Sequence, residues 1–301
     1  MLRRSDLTRD PTMTEAPSRT ITAPPSDAFH FGQNWQRYLD TAFSPERLAV
    51  AQQSLKDLIG VQSLAGSSWV DIGCGSGIFS LAAYRLGAAR LTSIDIDPDA
   101  VACCTRLWEA EGRPANWRIL HGSVLDPQFV AQVEPADIVY SWGVLHHTGD
   151  MWRAIENAAS RVRPGGRFVI AIYNKVGGAL GSETWLRIKR LYVHSPAWFQ
   201  WLMTRGYFGY YVLSLLAHGR NPIRSIRSYK QGRGMSVLTD VIDWVGGYPY
   251  EYATDAEIAD FCRTRFGMSM ENVVRVSSLA NNEFVFRAPG LAGSPTPQSA
   301  A

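Results

Sequence analysis

The stretch Trp69-Val70-Asp71-Ile72-Gly73-Cys74-Gly75-Ser76-Gly77-Ile78-Phe79-Ser80 constrains this chain more than any other. A short apolar run carries an acid near its end, three glycines follow at alternate positions, and Leu81 to Leu86 continue with helical spacing. That order predicts a strand, a tight turn and a helix N-terminus. Glycine is required where the backbone takes a positive φ or comes close to a ligand. In open α/β sheets, the turn between a strand's C-terminal end and the next helix is where ligands bind.

A second strand, within Arg90-Leu91-Thr92-Ser93-Ile94-Asp95-Ile96-Asp97-Pro98, also ends in acid, and Asp95 lies 18 residues after Gly77. A carboxylate there can accept both hydrogens of a ribose diol. NAD and other adenosine cofactors share that ribose, so Asp95 does not separate them. The glycines do. A dinucleotide turn needs G-x-G-x-x-G, and Ile78 stands where its last glycine belongs.

Residues 67–175 alternate strand and helix. Strands are expected near Ser68–Ile72, Leu91–Asp95, Trp117–His121, Ile138–Trp142 and Arg167–Tyr173. Helices are expected near Gly77–Leu86, Pro98–Glu111, Pro127–Val133 and Met151–Val162, with Arg163-Pro164-Gly165-Gly166 separating the last helix from the fifth strand. Two more strands, near Glu271–Ser277 and Glu283–Arg287, follow a helix capped by Thr254-Asp255-Ala256-Glu257. The predicted class is α/β, a Rossmann-like seven-stranded mostly parallel sheet with helices on both faces and a helical cap inserted after the fifth strand.

The predicted organisation has six parts: a disordered tail over 1–28, an N-terminal helical arm or lid over 29–66 and the nucleotide-binding core over 67–175. A basic aromatic cap follows over 176–251, then a last helix and two strands over 252–288 and a loose end over 289–301. The arm carries Phe31, Trp35 and Tyr38 beside Gly32 and Asn34, and these aromatics either staple the arm to the core or cover a ligand. Ser44-Pro45 reads as a helix cap with proline at the first helical position. No apolar leader follows Arg3-Arg4. Cys74, Cys103, Cys104 and Cys262 have no C-x-x-C spacing and read as free thiols of a reducing cytoplasm.

The cap is unusual in charge. From Thr184 to Thr239 it holds nine Lys or Arg and no Asp or Glu, so a chain of net +3 is −6 elsewhere. It also holds Trp198 to Leu213, a greasy run interrupted by Arg205, Gly206 and Gly209. A membrane span needs about 20 predominantly apolar residues, so a span is rejected. The run is either a cap packed on the sheet or an amphipathic surface for lipid headgroups or a greasy substrate. The stretch Arg233 to Glu251 has poor periodicity and reads as a loop bearing Asp240, Asp243, Tyr248 and Glu251.

The glycine spacing after Asp71 resembles motif I of the class I S-adenosylmethionine (SAM) methyltransferases. Tyr140-Ser141-Trp142-Gly143-Val144-Leu145-His146-His147-Thr148 resembles their motif IV, whose loop lies beside the transferable methyl. The full pattern is similar to a bacterial subgroup whose fold is that of the quinone-biosynthesis O-methyltransferases. The resemblance implies SAM as cofactor, with the glycine backbone along its methionine part and Asp71 at its amino group. It implies a cofactor set of Asp71, Gly73, Cys74, Gly75, Gly77, Asp95, Ile96, Ser123, Val124, Asp126, Trp142 and Gly143. Ser123 departs from the acid usual at its position. Asp126 either replaces that acid at adenine or caps the helix beginning at Pro127.

Histidine suits a general base near neutral pH, so His146 or His147 is expected to take the acceptor's proton. Substrate contacts are expected at Phe31, Trp35, Tyr173, Asn174, Asp243, Tyr248 and Glu251. No metal site is expected. The predicted reaction is methyl transfer to a small-molecule acceptor, most readily a hydroxyl of an aromatic or lipid-like compound. The protein is expected in the cytoplasm, with peripheral contact to the inner membrane as a further option. Two alternatives stay open: a tRNA-modifying methyl or carboxymethyl transferase using the basic cap, and a non-catalytic SAM-fold protein at a membrane surface. Oligomeric state is not legible.

Overall fold

The computed structural model describes residues 32–41, 43–233 and 237–290. The expected tail over 1–28, residues 29–31 with Phe31, and residues 291–301 of the expected loose end lie outside them.

Two helices lead, α1 (Gly32–Thr41) and α2 (Pro45–Ile59). The alternating core follows as β1 (Ser68–Ile72), α3 (Ile78–Arg85), β2 (Arg90–Asp95), α4 (Pro98–Ala110), β3 (Trp117–His121), α5 (Pro127–Ala131), β4 (Ala136–Trp142), a 3-10 turn Leu145–His147, α6 (Met151–Ala159) and β5 (Val162–Tyr173). Then come α7 (Ser182–Val193), α8 (Ala197–Ala217), α9 (Pro222–Arg233) and α10 (Val237–Gly246), and finally α11 (Asp255–Phe266), β6 (Ser269–Val274) and β7 (Asn281–Arg287).

The strands form one seven-stranded sheet in the order β3-β2-β1-β4-β5-β7-β6. The first five pair in parallel, while β7 runs antiparallel to both β5 and β6. This is the predicted α/β class. Every residue of β1 is buried, as a parallel strand covered on both faces requires. Alternate residues feed opposite layers. Val70 and Ile72 pack with α5, α6 and α11, whereas Trp69 packs with α2, α3 and α4. Strand β5 divides likewise, Phe168, Ile170 and Ile172 to the first layer and Val169 to the second.

Two local expectations are corrected. Arg163-Pro164-Gly165-Gly166 does not part helix from strand. It is a bulge inside β5, because Ala136 pairs with Val162 and Ile138 already pairs with Arg167. The backbone returns to register through Gly165 at φ +72°. The stretch before Gly246 is not a loop but the helix α10. Val237, Leu238, Val241, Ile242 and Val245 carry a helical stripe that Asp240 and Asp243 hide from a casual count. Val237, Val241 and Val245 pack with Trp185 and Tyr192 of α7 and with Tyr250, making a third, aromatic core above the C-terminal end of β5.

Candidate functional site

The glycine turn is built from three left-handed residues, Gly73, Gly75 and Gly77. At Gly77, φ is +81° and an added Cβ would stand 2.9 Å from the Cys104 backbone of α4. At Gly75 an added Cβ would meet the Trp35 ring at 3.1 Å. The turn therefore offers bare backbone beneath an aromatic side chain from α1. The turn is pinned by neighbours, since Gly73 and Cys74 N–H both donate to the Ile94 carbonyl, at 2.8 and 3.0 Å.

Asp95, at the end of β2, faces this turn. Its Oδ2 accepts the Gly75 N–H at 3.0 Å and its Oδ1 accepts the Asp97 N–H at 2.9 Å. Burial pushes its carboxyl up to about 6, against those backbone bonds. Asp71 is buried in β1 and accepts the Ser80 hydroxyl at 2.6 Å. Ser80 in turn meets Ser93, which accepts the Trp117 indole N–H at 2.9 Å. Burial raises Asp71 to about 7, with the Asp95 charge adding to the rise. Two desolvated carboxylates thus flank a backbone cradle. A ligand bringing positive charge and a diol suits them: it would favour both ionised forms, and a carboxylate has about four lone-pair sites, of which Asp95 spends two on backbone.

The arm closes over this crevice. Gly32 N–H donates to Asp97 Oδ2 at 2.9 Å and Gln36 Nε2 to Asp99 Oδ1 at 3.0 Å. Asn34 Nδ2 donates to Asp243 Oδ1 of α10, so α1 ties the crevice to the cap. Around the far rim, Ile96 accepts from His121 Nε2 at 2.9 Å, Val124 accepts from Asn157 Nδ2 at 2.8 Å, and Ser123 Oγ accepts the Leu125 N–H at 3.1 Å. Of the two roles open to Asp126, the structure displays the cap. Its Oδ1 accepts the N–H groups of Gln128 and Phe129 at 2.9 and 3.2 Å.

On the other side of the turn, the loop after β4 carries the histidines. Trp142 donates its indole N–H to Glu283 at 2.8 Å, and Gly143 takes φ +75°. His146 is fully buried, and its ring lies 4.0 Å from that of Tyr173. Its carbonyl accepts the Glu251 N–H. Burial and the His147 and Lys189 charges hold its proton affinity well below the ordinary value. His147 Nδ1 lies 2.6 Å from the Pro249 carbonyl, to which it donates. Burial, and then Lys189, push His147 down to about 3. Both rings are neutral at physiological pH and resist protonation, so the expectation of a histidine base loses its physical basis: a base works best with a pKa near the working pH.

Sequence reasoning missed Lys189. It lies on α7 and is fully buried. Its ammonium donates to the Trp244 carbonyl and sits 4.4 Å over the Trp244 ring and 4.9 Å over that of Tyr250. Burial lowers it to about 7, opposed by Asp243. Asp243 is itself raised to about 7 by burial and by Asp240, against Asn34, Arg37 and Lys189. Two groups thus titrate near neutrality, and the charge of one is felt by both histidines. Trp185, Lys189 and Tyr192 share one helix face at i, i+4 and i+7, but that spacing alone does not say that the face is buried.

The other expected substrate residues are divided. Tyr173 stands within this cluster, 5.0 Å from the Tyr250 ring and 6.0 Å from that of Trp244. Tyr248 is half-buried beside His194. Asn174 is occupied: its amide donates to the Val276 and Ser278 carbonyls and its oxygen accepts from Asn282, tying β5 to the final hairpin. Glu251 Oε2 accepts the Met151 N–H at the start of α6. These two carboxamide and carboxylate groups hold the frame. Among the described residues, no cluster of three His, Cys, Asp or Glu could hold a metal, and no helix is long and apolar enough to cross a membrane.

Residues 70–170 match the family model of a methyltransferase domain. The chain is 34% identical over 142 residues to a ubiquinone biosynthesis O-methyltransferase of Methylobacterium sp. (strain 4-46), covering 44% of this chain and 53% of that protein. It is 38% identical over 111 residues to the ribosomal protein L11 methyltransferase of Azotobacter vinelandii (strain DJ / ATCC BAA-1303), covering 36% and 35%. The chain thus spans about half or less of the length of these curated relatives. Among solved structures, an O-methyltransferase family protein from Burkholderia thailandensis superposes with a TM-score of 0.50 at 13% identity, over 81% of this chain and 57% of that one.

Proposed function

We propose that this chain uses its class I SAM-dependent methyltransferase domain, residues 70–170, to methylate a hydroxyl of an aromatic or lipid-like small molecule. When bound, SAM supplies an electrophilic methyl on a sulfonium. The chain's own residues do the rest. Gly73, Gly75 and Gly77 give a backbone floor, Asp95 accepts the ribose hydroxyls, Asp71 adds negative charge, and Trp35 covers the site. Holding acceptor and methyl in line contributes up to about 7–11 kcal/mol in favourable cases.

Transfer to a hydroxyl also releases a proton. We assign its uptake to the Lys189 amine and not to the histidines. Lys189 is lowered to about 7, whereas His147 is lowered to about 3. The acceptor oxygen takes the methyl as the methyl–sulfonium bond breaks with its electron pair left on sulfur, and the O–H proton passes to the Lys189 amine, which ends as ammonium beside Asp243. The observation that carries this reading is the burial of Lys189 between Trp244 and Tyr250, next to the loop after β4. The aromatic side chains of Tyr173, Trp185, Trp244 and Tyr250, clustered at the C-terminal end of β5, support a flat or greasy acceptor. The name of the Methylobacterium relative supports a hydroxyl as acceptor.

The test is a metabolite comparison of a deletion strain and its parent, both fed methyl-labelled methionine. A labelled O-methyl compound present only in the parent and restored by the wild-type chain is the expected result. Restoration by a Lys189→Met variant at the full rate would overturn the assigned base. A lost label on a nitrogen, a carbon or an RNA nucleoside would overturn the acceptor.

A further inference from the structure

Helix α8 is apolar on two opposite faces. Met203, Tyr207, Phe208 and Tyr211 turn inward and join the cap's aromatic core. Trp198, Trp201, Leu202, Tyr210, Leu213 and Leu216 turn outward and are exposed, Trp198 at 69% and Leu213 at 65%. Positions 198, 202, 205, 209, 213 and 216 recur at intervals of three and four, which sets them along a single stripe of the helix. From Trp198 to Leu216 the stripe is about 27 Å long at 1.5 Å per residue. Trp198, Leu202, Leu213 and Leu216 hold four of these positions and Arg205 and Gly209 the other two, and soluble domains rarely leave so many large apolar side chains grouped on one uncovered helix face. Leu191 of α7 and Ile223 of α9 are exposed as well.

Charge says what covers it. Arg190, Arg205, Arg220, Arg224 and Arg227 are exposed on α7, on α8 and at or after its C-terminal end. No Asp or Glu occurs between Thr184 and Thr239. Arg205 stands over the Trp201 ring, 5.5 Å from its centre, inside the outward stripe. A second copy of the chain is a poor match, since a twofold contact places each patch on itself and arginine would face arginine. A nucleic acid would satisfy the arginines and leave the leucines in water. A bilayer with anionic headgroups satisfies both. Tryptophan and tyrosine settle at the headgroup level, aliphatic side chains enter the acyl boundary, and each basic residue near the surface adds attraction.

We infer that the outward face of α8, with the flanking arginines of α7 and α9, is a docking surface for an anionic lipid bilayer. The helix lies in the interface plane and does not cross it. The inference does not depend on the proposed acceptor or base. It adds a place of action: α8 packs on the core that holds Lys189, so a membrane-held acceptor would meet the site from the cap side.

The test is flotation of the full chain with two vesicle types, phosphatidylcholine alone and equal parts phosphatidylglycerol and phosphatidylcholine. At low salt the wild type is expected to float with the anionic vesicles at least about tenfold more than with the neutral ones, and high salt should reduce this. The pair Trp198→Glu/Leu213→Glu should abolish flotation, and Arg220→Glu/Arg224→Glu should weaken it. Both pairs lie on the surface, so melting temperature and S-adenosylhomocysteine affinity should stay at wild-type values. Those controls separate failure of this surface from failure of the cofactor site. Wild-type protein that ignores anionic vesicles would overturn the inference. So would a stable dimer that Trp198→Glu/Leu213→Glu splits, or retention of bulk tRNA in preference to vesicles.

Discussion

Asp95 Oδ2 accepts the Gly75 N–H at 3.0 Å, joining the end of β2 to the turn that follows β1. Two segments 20 residues apart in sequence thereby form one wall of a crevice at the C-terminal edge of the sheet. We propose that the same carboxylate that fixes the turn also holds the cofactor's ribose. Any change at Asp95 therefore alters cradle and ligand contact together.

Asp71 should set stability against function. Its carboxyl is raised to about 7 in the fold, so its stabilising protonated form is fully kept below the unfolded value and lost as pH rises through about 7. Asp71→Asn removes that loss. Relative to wild type, the cofactor-free variant should melt higher above about pH 7 than at pH 5, and should bind SAM more weakly. Thermal melts across pH, with and without SAM, check both signs. An Asp71→Asn variant with unchanged pH dependence of melting would refute the burial argument.

Gly77 tests the turn's geometry. Its φ of +81° and the 2.9 Å approach to the Cys104 backbone leave no room for a methyl group. Gly77→Ala should cost about 2 kcal/mol or more in stability and displace α3 from α4. Gly112, also at positive φ but in open space, is the control: Gly112→Ala should cost less, about 1 kcal/mol. Denaturant midpoints of the two variants give the comparison.

Lys189→Met should stabilise the fold and harm the reaction. A buried ammonium is costly to desolvate, and a thioether of similar length suits the aromatic core. The melting temperature should rise while methyl transfer falls about 10²-fold or more. With Lys189 near 7, the wild-type rate should climb as pH rises through that value, because the free amine takes the proton. The variant's rate should be flat there. Transfer of labelled methyl from SAM to a lipid extract of the parent organism provides the readout.

Trp35→Ala uncovers Gly75 without touching the sheet. SAM affinity should fall about fivefold to tenfold, the worth of one aromatic contact, with little change in the main melting transition. Asn34→Ala, which cuts the link to Asp243, should raise the exchange rates of the α1 amides under hydrogen exchange.

What could be read from the sequence was what is local. Asp71, the three glycines and Asp95 sit within single turns or at strand ends, where spacing alone fixes geometry. The strand alternation was readable for the same reason: β4 and β5 carry their own apolar runs, Ile138-Val139-Tyr140 and Phe168-Val169-Ile170-Ala171-Ile172. Lys189 was not legible, because a lysine's burial depends on α10 and Tyr250 folding over it, some 55 to 61 residues away. Helix α10 was masked by the acids at 240 and 243, one of which, Asp243, serves contacts from α1 and α7. Asn174 and Glu251 looked like ligand residues by polarity and place. Their partners, the Val276 and Ser278 carbonyls and the Met151 N–H, belong to segments about 100 residues distant. His146 and His147 read as bases by type. Their burial beside Tyr173 and Lys189 reverses that reading, because desolvation and a nearby cation both disfavour the imidazolium.

The most direct measurement is calorimetric titration of the full chain with S-adenosylhomocysteine and, separately, with NAD, above and below about pH 6. Binding of the first and not the second is predicted. Affinity should be full where Asp95 is ionised and should fall by up to about tenfold for each pH unit below its value, and Asp95→Ala should abolish binding. Equal affinity for S-adenosylhomocysteine in wild type and Asp95→Ala, or NAD binding with no S-adenosylhomocysteine binding, would contradict the account.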